Sequence, residues 1–455
     1  MLGFYLELYD RVLPHMRTRV EEFYRSIAAL FERAGVDVVA PDVCRVKGEF
    51  EKAADMAGRE GADALVVLFL AYSPSLESAD TLVRSDLPLI ILDTTPKYGF
   101  DHGILPDDIL YNHGIHGVQD ICSILKRHDR RFILETGHWK ESDVIERVIK
   151  HVKGAFILSS LKHSRSGIIG SPFAGMGDFF VPFDILKQKL GVEVVKADAG
   201  EIARYMPDEN DASVKTEMDR DRKLFHIRKL DTRAHINNTR IGLAVRKWIE
   251  EEGLTAFTMN FSEIGPDSGF PSLPFLEAGK AMARGIGYAG EGDVFTASVV
   301  GALMGFFPQT TFTEMFCPDW KGERIFLSHM GEVNVSLIEG RPRLVEKELA
   351  FIDVGNPVLA TGGLKKGKAI YANLTPGKDY SFTLILSEVK MEKAGKLKNI
   401  DDTIYGWLVP QEPLRKFLYD FSMAGGTHHS ALVYDGDMEI LESLGQAAGW
   451  DIKII

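Results

Sequence analysis

Cysteine is scarce in this chain: three in 455 residues, Cys44, Cys122 and Cys317, far apart and with no C-x-x-C pair. That usage excludes a disulfide scaffold and a thiolate zinc site, and it fits a reducing cytoplasm. Cys317, three residues from Glu314, reads as a small buried hydrophobe rather than a ligand. Long apolar runs are missing too. The longest, ALVVLFLA at 64–71, is far short of the roughly 20 residues a membrane helix needs. The N-terminal MLGFYLELYDR carries Glu7 and Asp10 within its apolar part and has no basic leader, so it does not read as a signal peptide. Nor is there a surplus of basic charge: 53 Lys and Arg against 65 Asp and Glu, a net −12, argue against a nucleic-acid or anionic-membrane partner. No internal repeat or low-complexity tract is present. What remains, 45% apolar and 26% charged, is the composition of an ordinary soluble globular protein.

The length allows two or three domains, each with a sizeable core. In residues 1–165 the apolar runs VDVVAP, ALVVLFL, LPLIILD, RFILETG and GAFILSS alternate with helical-period stretches such as RTRVEEFYRSIAALFERAG. This predicts a parallel sheet covered by helices on both faces. AYSPS, HGIHG and GHW follow apolar runs, where such sheets gather ligands, although turn chemistry explains the same residues. Residues 166–308 predict a second α/β domain, with VEVVKAD and LTAFTMNF as strands and the acid–base mix DENDASVKTEMDRDRK at 208–223 as a solvated helical face. Residues 309–455 are β-rich and punctuated by Gly and Pro. The expected fold class is therefore α/β: two doubly wound parallel-sheet domains followed by an antiparallel, barrel-like C-terminal domain.

The chemistry is expected between Gly285 and Met330. Glu291 lies between two glycines just before the apolar helical run VFTASVVGALMGFF, where backbone can approach a ligand and the helix N-terminus favours negative charge. Glu314 and His329 fall in runs that read as buried strands, FTEMF and IFLSHM. Two carboxylates sharing an apolar pocket repel unless a cation neutralises them. Carboxylate with imidazole suits Mn, Co, Mg or Fe better than a structural zinc. Each residue alone is as easily a capped or hydrogen-bonded structural group. A fourth donor is available in AGGTHHS, where His428 and His429 are adjacent; on an extended chain they point apart, so one of them would face a given site. GIGYAG at 285–290 is formally G-x-G-x-x-G, but it follows a stretch that reads as helix, and Glu291 and Asp293 stand where a pyrophosphate would bind, which disfavours a nicotinamide or flavin enzyme.

Taken together, GYAGEGD, the glutamate of FTEMF, SHMGEV and AGGTHHS resemble, in order and separation, the metal-site motifs of the L-arabinose isomerase family. LFLAYSPS, YNHGIHG, TGHW, GMGDF, FTMNFSEI and LPFLEAGKAMARGIG also have counterparts along that family's chain. The resemblance implies a metal-dependent aldose–ketose isomerase acting on a pentose or related sugar, with proton transfer between C1 and C2 through a cis-enediol. It implies manganese, or another divalent ion such as Co²⁺ or Mg²⁺, held by Glu291, Glu314, His329 and His429, the two glutamates also moving the proton. It places Met176 and Phe261 in the substrate pocket and His116 in a neighbouring subunit's site, hence a homo-oligomer, a trimer or hexamer. The chain departs from the family at FYLELYDRVLP (4–14), at MFCPDW (315–320) and beyond WDIKII, where family members continue. Those departures keep a second reading open, a non-catalytic sugar-binding protein of the same fold.

Overall fold

Short apolar runs become strands where helices can cover both their faces, and this happens twice. The computed structural model describes residues 1–350, 352–398 and 402–455 and divides into two compact units, Met1–Leu158 with Glu439–Gly449, and Ser159–Met438 with Trp450–Ile455. In the first unit β1 (Leu2–Phe4), β2 (Leu65–Phe69), β3 (Leu89–Asp93) and β4 (Ile133–Thr136) pair in parallel in that order. The chain at Cys44 bridges in parallel to Phe4 on the other side of β1. Leu65, Val67, Phe69, Leu89 and Ile91 pack with the helices Lys47–Arg59, Ser75–Arg84 and Gly114–Arg127. The alternate residues Val66, Leu68, Ile90 and Leu92 pack with Met16–Arg33 and Val144–Lys162. Side chains of a strand alternate between faces, so continuous apolar runs mark a sheet buried on both. The doubly wound expectation holds.

Two strand assignments in this region do not. VDVVAP is not a strand, and GAFILSS forms the C-terminal half of the helix Val144–Lys162. A run of four apolar residues has no period long enough to separate helix from strand; here Ala155, Ile157 and Leu158 are buried while Phe156 is exposed. Gly154 allows the helix Met438–Ala448 to approach, since a Cβ there would lie 2.6 Å from the Leu444 nitrogen. HGIHG likewise opens a helix instead of closing a strand.

The second unit holds another parallel sheet. Its strands β5 (Arg165–Ile169), β6 (Glu193–Ala197), β8 (Ala256–Met259) and β9 (Gly287–Ala289) run in the order β6-β5-β8-β9; the two-residue β7 (His226–Ile227) belongs elsewhere. The order reverses beside β5, which opens a crevice at the strand carboxyl ends. β9 lies inside GIGYAG, so that hexapeptide is not a phosphate-binding loop. Its Gly287 serves packing: a Cβ there would lie 2.5 Å from Gly301 Cα in the helix Val294–Phe306. That helix packs on β8 and β9 and on the strands that follow it, which explains why it is apolar on nearly every side.

The remaining strands are β10 (Thr310–Asp319), β11 (Arg324–His329), β12 (Arg343–Glu346), β13 (Val358–Gly363), β14 (Gly367–Pro376), β15 (Phe382–Glu392), β16 (Ile404–Pro410), β17 (His429–Tyr434) and β18 (Asp451–Ile454). Antiparallel pairings close six of them into a ring, β10-β11-β16-β15-β14-β17 and back to β10. Closure leaves no free strand edges in that ring. β13, β12 and β7 extend it from β16, and β18 joins β15. Among the described residues no helix is long and apolar enough to cross a membrane.

The stretch at 208–223 is a further correction. It forms the helix Ala212–Leu224, but Glu217 and Asp221 are buried, not solvated. Lys280, itself buried, bonds to Asp221 Oδ1 at 2.6 Å and pairs with Glu217; Arg246 bonds to Glu217 at 2.9 Å and to Glu277 at 3.0 Å; His235 Nε2 lies 3.1 Å from Asp221. The helices Thr232–Glu251 and Phe275–Met282 supply these partners, and their contribution is invisible in the local charge pattern. Removing one member strands its partners. Lys280→Met is expected to lower unfolding stability by about 3–5 kcal/mol, read by urea denaturation; a loss near zero would contradict the network's role.

Candidate active site and metal centre

Glu291 is held in an uncommon backbone conformation, φ 61°, which costs a non-glycine residue about 1–3 kcal/mol and persists only where the surroundings enforce it. The enforcement comes from both sides. The Phe173 N–H donates to the Glu291 carbonyl at 3.0 Å, and the Gly292 N–H donates to the Met259 carbonyl at 3.0 Å. Gly292 has φ 74°, and a Cβ there would lie 2.5 Å from the Ser171 carbonyl oxygen. Asp293 then caps the apolar helix, its Oδ1 accepting the Thr296 N–H at 2.8 Å. The turn therefore places Glu291 just beyond the carboxyl end of β9, where an open parallel sheet gathers its ligands.

The barrel supplies the opposite wall. Glu314 on β10 and His429 on β17 are direct register partners, and His429 Nε2 lies 2.8 Å from Glu314 Oε1 and 3.5 Å from Glu291 Oε2. An irregularity in the β10–β11 register follows at once, between Met315 and Cys317, the kind of bulge that re-aims side chains next to active sites. His329, the last residue of β11, brings Nε2 to 3.1 Å from the same Glu314 oxygen. His428 Nε2 stands 3.4 Å from Glu291 Oε2. One donor atom from each of Glu291, Glu314, His428 and His429 lies within 4.8 Å of all the others.

Behind every imidazole stands a carboxylate on Nδ1: Asp293 for His429 at 2.8 Å, Glu332 for His329 at 2.5 Å, and Asp178 for His428 at 2.6 Å. This back-support fixes ring orientation and raises donor strength, as it does in metal sites. Glu332 also accepts from the Tyr288 hydroxyl. Phe179 lies flat on His429 at 5.1 Å and 9°, and Phe312 meets His329 and His429 edge-on at 5.0 and 4.9 Å.

Burial works against every charge here and is overcome by the pairing. Burial opposes ionisation of Glu291, but hydrogen bonds to His428 and His429 pull its carboxyl down to about 2. For Glu314 burial is likewise outweighed by His329 and His429, and its carboxyl falls well below the usual range. Against burial, Asp178 and Glu291 raise His428 to about 9, and Glu332 and Glu314 raise His329 to about 10. Asp293, Glu291 and Glu314 push His429 well above its ordinary value. Five carboxylates face three imidazoles, so even with every imidazole protonated two negative charges remain in excess. The His429 Nε2 atom is buried within reach of both Glu314 and Glu291. A buried imidazole nitrogen among excess carboxylates fits a divalent cation, and imidazole with carboxylate suits manganese and its neighbours.

Of the residues singled out in the sequence, the structure brings together Glu291, Glu314, His429 and His428, with His329 Nε2 3.1 Å from the Glu314 oxygen that His429 also approaches. The adjacent histidines converge instead of pointing apart, with ring centroids 4.2 Å apart; His428 precedes β17, which begins at His429. Met176 lies half-buried on the segment after β5, and Phe261 follows β8 with its ring 5.6 Å from Phe173. His116 belongs to the first unit, exposed on the helix Gly114–Arg127 and 2.8 Å from His113 Nε2. Cys317 is exposed, not buried, because it follows the bulge. The sequence reading missed Asp178, Asp293 and Glu332. Asp293 was accessible to it, as an Asp immediately before an apolar helical run is a capping signal.

A cage of carboxylates and imidazoles lies where a parallel α/β sheet meets a closed barrel, a donor set that could hold a divalent cation. Family models match the chain over both of these parts. The L-arabinose isomerase central domain matches residues 186–306 and the L-arabinose isomerase C-terminal domain matches residues 309–451, together more than half of the chain. L-arabinose isomerase of Geobacillus kaustophilus is 24% identical over 463 residues, covering 99% of this chain and 91% of that protein. The enzymes of Nocardioides sp. and Herpetosiphon aurantiacus are each 25% identical, over 472 and 360 residues, covering 97% and 75% of this chain and 91% and 70% of theirs. The chain belongs to the L-arabinose isomerase family of aldose–ketose isomerases, as a divergent member.

The turn at Glu291 makes a direct prediction. Gly292→Ala combines a left-handed backbone, costing about 1–2 kcal/mol, with a clash against Ser171, so both the melting temperature and divalent-cation affinity should fall. An alanine variant that melts and binds like the parent would contradict this account of the turn.

Proposed function

We propose that the protein isomerises a pentose or related aldose to its ketose with one divalent cation, manganese or another ion such as Co²⁺ or Mg²⁺, at this centre. The observation that carries the reading is that Glu314 Oε1 and Glu291 Oε2 approach the same Nε2 of His429 from 2.8 and 3.5 Å, in a buried cage. Glu291, Glu314, His329 and His429 would hold the ion, as the family resemblance has them. Bound there, the ion lowers the cost of negative charge on the sugar oxygens as a proton leaves carbon.

The rest falls to the chain's own groups. Glu314 and Glu291 act as the acid–base pair that moves a proton between C1 and C2 through a cis-enediol: one takes the proton from C2 and returns it to C1, while the other takes the O2 hydroxyl proton and delivers it to O1. Hydrogen bonds from His428 and His429 keep Glu291 ionised, and those from His329 and His429 keep Glu314 ionised, so either can begin as a base. Phe179 and Phe312, packed on His429 and His329, limit water at the site, which strengthens these interactions, and Met176 and Phe261 are read as substrate-pocket residues. His116 is read as a contact donated to a neighbouring subunit's site, which calls for a homo-oligomer, a trimer or a pair of trimers. The three cysteines are unpaired, in keeping with a cytoplasmic setting.

The test is ketose formation by the metal-stripped protein, with and without Mn²⁺, across L-arabinose, D-arabinose, L-fucose and D-galactose. Manganese-dependent turnover of at least one of them is expected. No turnover on any sugar with manganese bound would overturn the isomerase reading. Glu314→Gln should cost roughly a hundredfold or more in kcat, and a loss under about tenfold would remove Glu314 from the proton transfer.

A further inference from the structure

Adjacent residues on an extended chain send their side chains to opposite faces, yet His428 and His429 both face Glu291. Asp178 is what turns His428 inward. A single oxygen, Oδ2, accepts the His428 backbone N–H at 2.9 Å and lies 2.6 Å from its Nδ1. Holding the peptide and the ring by one atom fixes both and leaves Nε2 aimed at Glu291 Oε2, 3.4 Å away. The segment carrying Asp178 is anchored independently of that contact, through the Phe173 N–H on the Glu291 carbonyl and Phe179 flat against His429. Asp178 itself is half-exposed, so its carboxylate is not needed to fill space in the core.

We propose that Asp178 is a positioning residue that converts His428 from a loop histidine into a nitrogen donor of the cation site, and so sets which divalent ions the site prefers. The inference rests on the reading that the cluster holds a divalent cation. A nitrogen donor in place of a water oxygen favours ions later in the first transition row over Mn²⁺ and Mg²⁺. A carboxylate behind the imidazole strengthens that donor and fixes its tautomer. Without Asp178 the backbone N–H and the ring lose their common anchor, and His428 is free to point to solvent.

The experiment titrates the metal-stripped full-length protein with Mn²⁺ and with Co²⁺ by calorimetry, with no sugar present, and follows thermal unfolding of each variant. Asp178→Ala should weaken Co²⁺ binding by about 10–100-fold and Mn²⁺ binding less, so the Co²⁺ preference falls. Asp178→Asn, whose amide oxygen accepts the same two N–H groups, should keep the preference. His428→Ala should match Asp178→Ala, and combining the two should add nothing further. Equal losses for both ions, unchanged affinities in Asp178→Ala, or Asp178→Asn failing as Asp178→Ala does would each overturn the proposal. Should Asp178→Ala not fold, His428→Ala with an unchanged preference overturns it equally. A wrong isomerase reading would show separately, as absent ketose formation with these affinities intact.

Discussion

Glu291 and Glu314 press two buried carboxylates toward one nitrogen, His429 Nε2. Their mutual repulsion is the constraint to which the surrounding structure answers. In the absence of a cation the three imidazoles carry it, each raised well above its ordinary pKa by the acids around it. Three further carboxylates, Asp178, Asp293 and Glu332, then hold the imidazoles from behind. This adds negative charge to a site already rich in it, an arrangement that makes little sense for stability alone, since buried charges seldom repay their desolvation. It makes sense if a divalent ion is the missing partner, with protons leaving the imidazoles as it binds.

The fold delivers the two carboxylates from different architectures. Glu291 comes from the carboxyl edge of a parallel sheet, at a turn whose strain is stored in a left-handed glutamate. Glu314 comes from a barrel strand, fixed by register against His429. The helix Val294–Phe306 joins the two. It starts at Asp293, which both caps it and holds His429, and it packs on both sheets. A displacement of that helix would move Glu291 and His429 together, so the distance between them is protected by a largely apolar, buried element.

Much of this was legible in the residues, for identifiable reasons. Continuous apolar runs such as ALVVLFL and LPLIILD, bounded by turn residues, read as strands covered on both faces, and the Gly- and Pro-punctuated strands after residue 309 read as a barrel or sandwich. Glu291, Glu314 and His329 stood out because an ionisable group among glycines or apolar residues needs a partner. What escaped were relations formed across the fold. Glu217 and Asp221 look like surface residues until the helix carrying Lys280 packs on them. GAFILSS looks like a strand because four apolar residues carry no period. The inward turn of His428 depends on Asp178, distant in sequence, and no local pattern announces it. The strand start at His429, by contrast, was within reach, since the β-type run begins there.

The most direct measurement is anomalous diffraction at the manganese edge from a crystal of the Mn²⁺-loaded protein. The account predicts one strong peak among Glu291 Oε2, Glu314 Oε1 and His429 Nε2. Density confined to other sites, or none at the cage while the protein is shown to bind manganese, would contradict it.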